Sequence, residues 1–292
     1  MKVAGRLGAL GTVGLLVVLG ACASTQTDAP PTVAPTDSRP STTGASQQPS
    51  DQSSASGRPE RPEPAETESD PPEALAGLTV ALDPGHNGGN GRHPAKIAEQ
   101  VPDGRGGTKA CNTTGTSART GYPEHKFTWD VAKRTRELLE DAGAKVVMTR
   151  DNDKGVGPCV DKRGKFAAAQ DADIMVSIHA NGSDNAAAKG FHVIVAHPAL
   201  NKSQGKDSEA VAEAMAKAMN GAGFPVNANY GKDGIVKRPD LAGLNHASRP
   251  AVIVECGEMR NPDQAAEMDS RAGRQKYAAA LADGVHRWAD TR

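Results

Sequence analysis

Two histidines and two glutamates stand where a chain can gather side chains for chemistry. His179 ends the apolar run "DADIMVSIHAN", His86 follows "LTVALDPG", and Glu255 lies near the end of "AVIVECGEMRN". Glu124 opens the amphipathic stretch that begins at "GYPEHKF". Two imidazoles and one carboxylate are a common catalytic zinc set, with the fourth position left to water. Neutral imidazoles leave most of the ion's positive charge free to bring its water to a pKa of about 7 and to polarise a carbonyl. A second carboxylate off the metal can take that water's proton and pass it to a leaving nitrogen. Each residue also has a plainer reading. His86 could cap a turn, Glu124 could favour a helix N-terminus through the macrodipole, and Glu255 could be a buried ion-pair partner. No compact motif such as HExxH decides between them. Of the other histidines, His125 is the main rival for a ligand role. His93, His192, His197, His246 and His286 have weaker claims, and His286 reads as surface or packing on a terminal helix.

The elements that must hold these residues follow from hydrophobic pattern. Five apolar runs read as buried strands: "LTVALD" from 78, "AKVVMT" from 144, "DIMVSI" from 173, "FHVIVA" from 191 and "AVIVEC" from 251. Their continuous Val/Ile/Leu character suggests strands covered on both faces. Helical patterns lie between them. "EHKFTWDVAKRTRELLEDAG" sets Phe127, Val131, Leu138 and Ala142 along one face and stops at Gly143, a favourable C-cap. "KRGKFAAAQDA", "KDSEAVAEAMAKAMNGAG" and "AGRQKYAAALADGVHRWAD" supply three more helices. Alternating strands and helices predict an α/β fold with a single open, twisted, mostly parallel sheet and helices on both faces. Ligands bind such sheets beyond the carboxyl ends of the strands, where His86, His179 and Glu255 fall. The long Gly- and Thr-rich insertion from 87 to 122 breaks the rhythm and is expected to line or cover the groove.

The 292 residues divide by composition into three zones. Residues 1–22 carry Lys2 and Arg6, an apolar run from Leu7 and small residues before Cys22, the layout of an export signal. "LGAC" resembles a lipobox, in which a lipidated Cys22 would attach the mature protein to a membrane. Residues 23–75 hold half of the chain's 20 prolines, with many Ser and Thr and no aromatic residue. Such a segment buries too little apolar surface to offset its ordering entropy and reads as a disordered tether. Residues 76–292 suit one catalytic domain, expected to be monomeric. A net charge of −1 gives no footprint for nucleic acid. In an exported protein the loop cysteines Cys111 and Cys159, 48 positions apart, can pair, for roughly 4 kcal/mol in the chain-entropy model. Cys256 sits in an apolar run and reads as a buried free thiol.

Residues 78 to 290 resemble the zinc-dependent N-acetylmuramoyl-L-alanine amidases of bacterial cell walls, amidase type 3, of the exported actinobacterial kind. "VALDPGHNGG" is similar to the family's opening strand and first zinc histidine, implying His86. "EHKFTWDVAKRTRELLEDAGAKVVMTRDND" resembles its acidic helix start, implying Glu124. "RGKFAAAQDADIMVSIHANG" resembles its most distinctive block, implying His179 as the third ligand. "AVIVECGEMRN" resembles the block with the catalytic glutamate, implying Glu255. The sequence departs from the family where an aromatic is expected after Glu-x-Gly: Glu258 stands there, Arg260 replaces a serine, and Asn261 is retained. The resemblance implies a Zn2+ cofactor and cleavage, by zinc-activated water, of the amide between N-acetylmuramic acid and L-alanine of the peptidoglycan stem. It implies a place in the periplasm or cell envelope. The alternatives are another zinc peptidase acting on the same stems and a non-catalytic wall-binding lipoprotein.

Overall fold

The computed structural model describes residues 74–292. The export signal, Cys22 and nearly all of the 23–75 tether lie outside the described residues.

Six strands form the main sheet: β1 (Thr79–Pro84), β4 (Lys145–Met148), β5 (Ile174–Asn181), β6 (His192–Ala196), β7 (Ile235–Arg238) and β8 (Ala251–Glu258). Their order is β4-β1-β5-β8-β6-β7. Every neighbouring pair is parallel except β6 with β8. The sheet is therefore open and mostly parallel, as the pattern predicts. A small antiparallel hairpin, β2 (Gln100–Pro102) with β3 (Thr108–Ala110), forms within the 87–122 insertion, preceded by the short helix α1 (Pro94–Ile97).

Alternation along each strand sorts the side chains to two faces. Val80, Leu82, Val176, Ile178, Val252 and Val254 face the larger core. Three long helices cover it: α2 (Glu124–Asp141), α4 (Lys206–Gly221) and α7 (Arg271–Ala289). Tyr277 anchors this layer, stacked on Phe224 and edge-on to Phe127. Ala81, Met175 and Ile194 face the other side, under α3 (Val160–Ala169) and the short α5 (Ala242–Asn245). The buried stripe of α2 runs through Phe127, Val131, Thr135 and Leu139. Leu138 and Ala142, expected on that stripe, sit at its margin.

The helix ends follow local chemistry. Gly143, at φ 91°, takes the left-handed conformation that ends α2 and that a Cβ would strain. Asn261 accepts from the backbone N–H groups of Asp263 and Gln264 and so caps α6 (Pro262–Asp269), with Pro262 in its first turn. No helix among the described residues is long and apolar enough to cross a membrane.

Candidate metal centre

The site is built on the turn after β1. His86 adopts φ 59°, a conformation uncommon for a residue with a side chain. Two buried arginines and a threonine hold the carbonyls of that turn. Arg163 donates to the carbonyls of Pro84 and His86 at 2.8 and 2.7 Å. Arg150 donates to Pro84 at 3.0 Å and Thr128 to Gly85 at 2.8 Å. Arg163 is itself paired with Asp83, whose carboxylate also accepts from Thr149 and Ser177. Burial alone would raise the Asp83 carboxyl, but the Arg163 charge and the two hydroxyls bring it down to about 2.

Three of the residues named from sequence come together. His86, Glu124 and His179 offer donor atoms within 4.8 Å of one another. Glu124 lies between the rings, 3.1 Å from His86 Nε2 and 3.0 Å from His179 Nδ1. Each element supplies one donor: the turn after β1, the first residue of α2, and β5 near its carboxyl end. The backbone N–H groups of Thr116 and Ala180 fix the two Glu124 oxygens at 2.9 and 3.0 Å. His86 Nδ1 meets the Thr113 carbonyl at 3.2 Å, which leaves Nε2 turned inward. This outer bond is what a metal-binding histidine needs to fix its tautomer. Two glycines make the close approach feasible. A Cβ on Gly85 would stand 2.4 Å from the His179 ring, and one on Gly115 would stand 2.8 Å from Glu124 and from His86. Two nitrogens, one carboxylate oxygen and this tight cradle fit a zinc ion with an open fourth position.

The fourth residue named from sequence, Glu255, is the register partner of His179 on β8 and shares its face. The two carboxylates sit in opposite environments. Burial would raise Glu124, but His86 and His179 hold it well below the usual carboxylate range. Burial raises Glu255, and the charges of Glu124 and Glu258 push it further in the same direction, well above that range. Carboxylates driven apart in this way suit division into a charged ligand and a proton carrier. The rival histidine, His125, lies in a separate pair with Asp153 at 2.7 Å, outside the cluster. A cavity of about 220 Å³ adjoins His86 and His179, walled by Met175 and Ile253 of the sheet, Leu241 and Leu244, and Ala110 of the hairpin. The insertion thus contributes to the wall of the groove. Its base is tied down by a disulfide between Cys111 and Cys159, and Cys256 is free and buried.

Sequence reasoning did not single out His192 and Tyr230 or see where Glu258 points. His192 is the register partner of Glu255 on β6. Its one available signal, the apolar strand it opens, does not reveal which strand lies beside it.

Comparison with known proteins gives one answer throughout. The chain is 47% identical over 215 residues to N-acetylmuramoyl-L-alanine amidase Rv3717 of Mycobacterium tuberculosis, covering 73% of this chain and 87% of that one. Its fold matches the crystal structure of the N-acetylmuramyl-L-alanine amidase Ami1 from Mycobacterium smegmatis with a TM-score of 0.72 and 44% identity, over 75% of this chain and 99% of that one. Ami1 from Mycobacterium abscessus matches with a TM-score of 0.71, also at 44% identity, over 73% and 99%. With residues 80–287 matching the family described as N-acetylmuramoyl-L-alanine amidase, Amidase_3, a span that holds His86, Glu124, His179 and Glu255, the chain belongs to that family.

Proposed function

We propose that this chain is an exported, zinc-dependent peptidoglycan hydrolase that cleaves the amide joining the lactyl group of N-acetylmuramic acid to L-alanine of the stem peptide. The observation that carries this reading is the His86, Glu124 and His179 cluster with Glu255 on the adjoining strand end. Residues 76–292 form the catalytic domain, acting as a monomer. Residues 1–22 direct export, Cys22 carries the lipid anchor and 23–75 give the domain reach. Support for these assignments comes from the amino-acid pattern and from the envelope enzymes to which the chain is related.

His86, Glu124 and His179 would hold the ion. When bound, zinc supplies Lewis-acid polarisation of the scissile carbonyl and lowers the pKa of an attacking water. The protein's own groups do the rest. Glu124, fixed by two backbone N–H groups, keeps its charge and the position of its oxygens. Arg163 and Arg150 hold the turn that aims His86. Glu255, beside His179 on the neighbouring strand, accepts the proton of the attacking water and passes it to the leaving nitrogen. The cavity beside His179 takes the part of the substrate flanking the amide.

Mass spectrometry of products from a defined muropeptide tests this, combined with elemental analysis of the protein. The expected result is a free stem peptide beginning at L-alanine, about one zinc per chain, loss of activity on chelation and recovery on adding zinc. Cleavage elsewhere in the stem would make the protein a peptidase. Binding without cleavage would make it a wall-binding module.

A further inference from the structure

The row of paired residues that contains His179 and Glu255 extends one strand further. Glu255 faces His179 across the parallel β5–β8 pair and His192 across the antiparallel β8–β6 pair. Directly paired residues share a face, with Cβ atoms roughly 4.5–5.5 Å apart. Glu255 therefore stands between two imidazoles, one in the metal cluster and one outside it.

Two polar atoms in this row are buried without a hydrogen-bond partner: Glu255 Oε2 and His192 Nδ1. Such atoms are rare in folded proteins. These two occupy one register position, and each supplies what the other lacks. A carboxylate oxygen accepts, and a neutral imidazole carries one N–H to donate. Burial, followed by the nearby Arg238 charge, lowers His192 to about 4, so the ring is neutral at physiological pH.

The imidazole is also held in place from behind. The Tyr230 ring stacks on it, with centroids 4.3 Å apart and planes 20° apart. The Tyr230 hydroxyl accepts from Asn181 Nδ2 at 3.1 Å. Asn181 Nδ2 also donates to Glu258 Oε1 at 2.8 Å, and Glu258 accepts as well from Asn227 and from the backbone of Ser183. The pairing slips between His179 and Asn181, where β8 spends three residues, Glu255 to Glu258, against two on β5. This bulge turns Glu258 to the face of Glu255 and Asn181. Glu258 thus anchors a relay of contacts that ends at His192.

We propose that His192 is a positioning residue for Glu255, its Nδ1–H donating to Glu255 Oε2 and leaving the other oxygen free to face the cleft. The two atoms stand without a bond between them, so the contact forms only when one of the side chains turns. The inference rests on the reading of Glu255 as the proton carrier of an amidase.

Two variants and one spectrum test it. His192→Phe keeps a ring for Tyr230 to stack on and removes both nitrogens. His192→Asn keeps an N–H near the place of Nδ1. With a muropeptide substrate, His192→Phe should lower kcat by about 10–100-fold, the usual effect of removing an outer-shell partner. KM should stay within about twofold and zinc content should be unchanged. His192→Asn should recover most of the lost kcat. Equal losses in both variants would reduce His192 to packing, and a normal kcat in His192→Phe would remove it from the site's working parts; either result overturns the proposal. A second readout does not depend on activity. In 15N-labelled protein, the His192 Nδ1–H should give a slowly exchanging proton resonance that is lost or displaced in Glu255→Ala. A resonance that ignores Glu255→Ala overturns the contact outright. Wild-type protein that leaves muropeptides uncut would count against the amidase reading, while the resonance would still decide whether the two side chains meet.

Discussion

The two faces of the sheet use the same strands for different ends. On one face β5 presents Ile174, Val176, Ile178 and Ala180, all buried and apolar, beneath α2, α4 and α7. On the other face the same strand presents Met175, Ser177, His179 and Asn181, which grow more polar toward its carboxyl end. β8 repeats the contrast, with Val252 and Val254 on the sealed side and Ile253 and Glu255 on the other. The sealed face has three long helices. The working face has the shorter α3, the brief α5 and the tied hairpin, and the cavity remains between them. Period-two alternation lets a strand be a core element and a catalytic element at once. Damage to one face should therefore read out as stability and damage to the other as turnover.

The sharpest test of that separation is Glu255→Gln. The side chain keeps its size and loses its charge, so turnover should fall by about 10²–10⁴-fold. Zinc should remain near one per chain and the thermal midpoint should not fall. Loss of zinc in this variant would make Glu255 a ligand and reopen the part played by Glu124. On the sealed face, Phe127→Ala empties space around a fully buried ring. It should cost about 3–5 kcal/mol in denaturant unfolding, while kcat per folded molecule stays close to wild type. A large drop in that kcat would show that the faces are not independent.

On the working face the disulfide ties the insertion to the start of α3. Replacing Cys111 and Cys159 with serine should cost about 2–4 kcal/mol, with zinc content unchanged because neither residue is among the proposed ligands. Reduced zinc binding would mean that the bridge holds Thr113 against His86. The smallest effect is set by pH. The Arg163 charge and two hydroxyls hold the buried Asp83 carboxyl down at about 2, against 3.8 for an ordinary aspartate. A lowered carboxyl stabilises the fold fully above the unfolded value, and that contribution disappears as pH falls from near 4 through about 2. It amounts to about 2 kcal/mol. Replacing Asp83 with Asn should flatten that part of the stability curve, and an unaltered curve would show that the Arg163 pair does not set acid sensitivity.

The five strands expected from sequence were legible because each falls in a continuous apolar run bounded by turn residues. β7 was not, because "IVKR" carries only two apolar residues before two charged ones, too short an apolar run to stand out. α6 carried its own signal in Asn261 followed by Pro262, a helix start that reading for strands and ligands passed over. The His86, Glu124 and His179 cluster was legible through resemblance to a family, and the positions at strand ends made it physically sensible. His192 was not legible as a neighbour of Glu255. That adjacency depends on β6 running backwards beside β8, a pairing between residues 63 positions apart that no local pattern encodes. Glu258 looked like a misplaced residue in a motif. Its direction is set by a bulge, and a bulge shifts every later side chain by one face.

The bridge between Cys111 and Cys159 also closes a covalent ring around α2 and β4, with Glu124 inside it and His86 and His179 outside it on opposite sides. A protease that cuts once between 112 and 158 opens the ring without dividing the molecule. The two pieces stay joined through sulfur, one with His86 and the other with His179. In an environment shared with other hydrolases, a nicked copy remains one particle, and a gel would show the cut only after reduction.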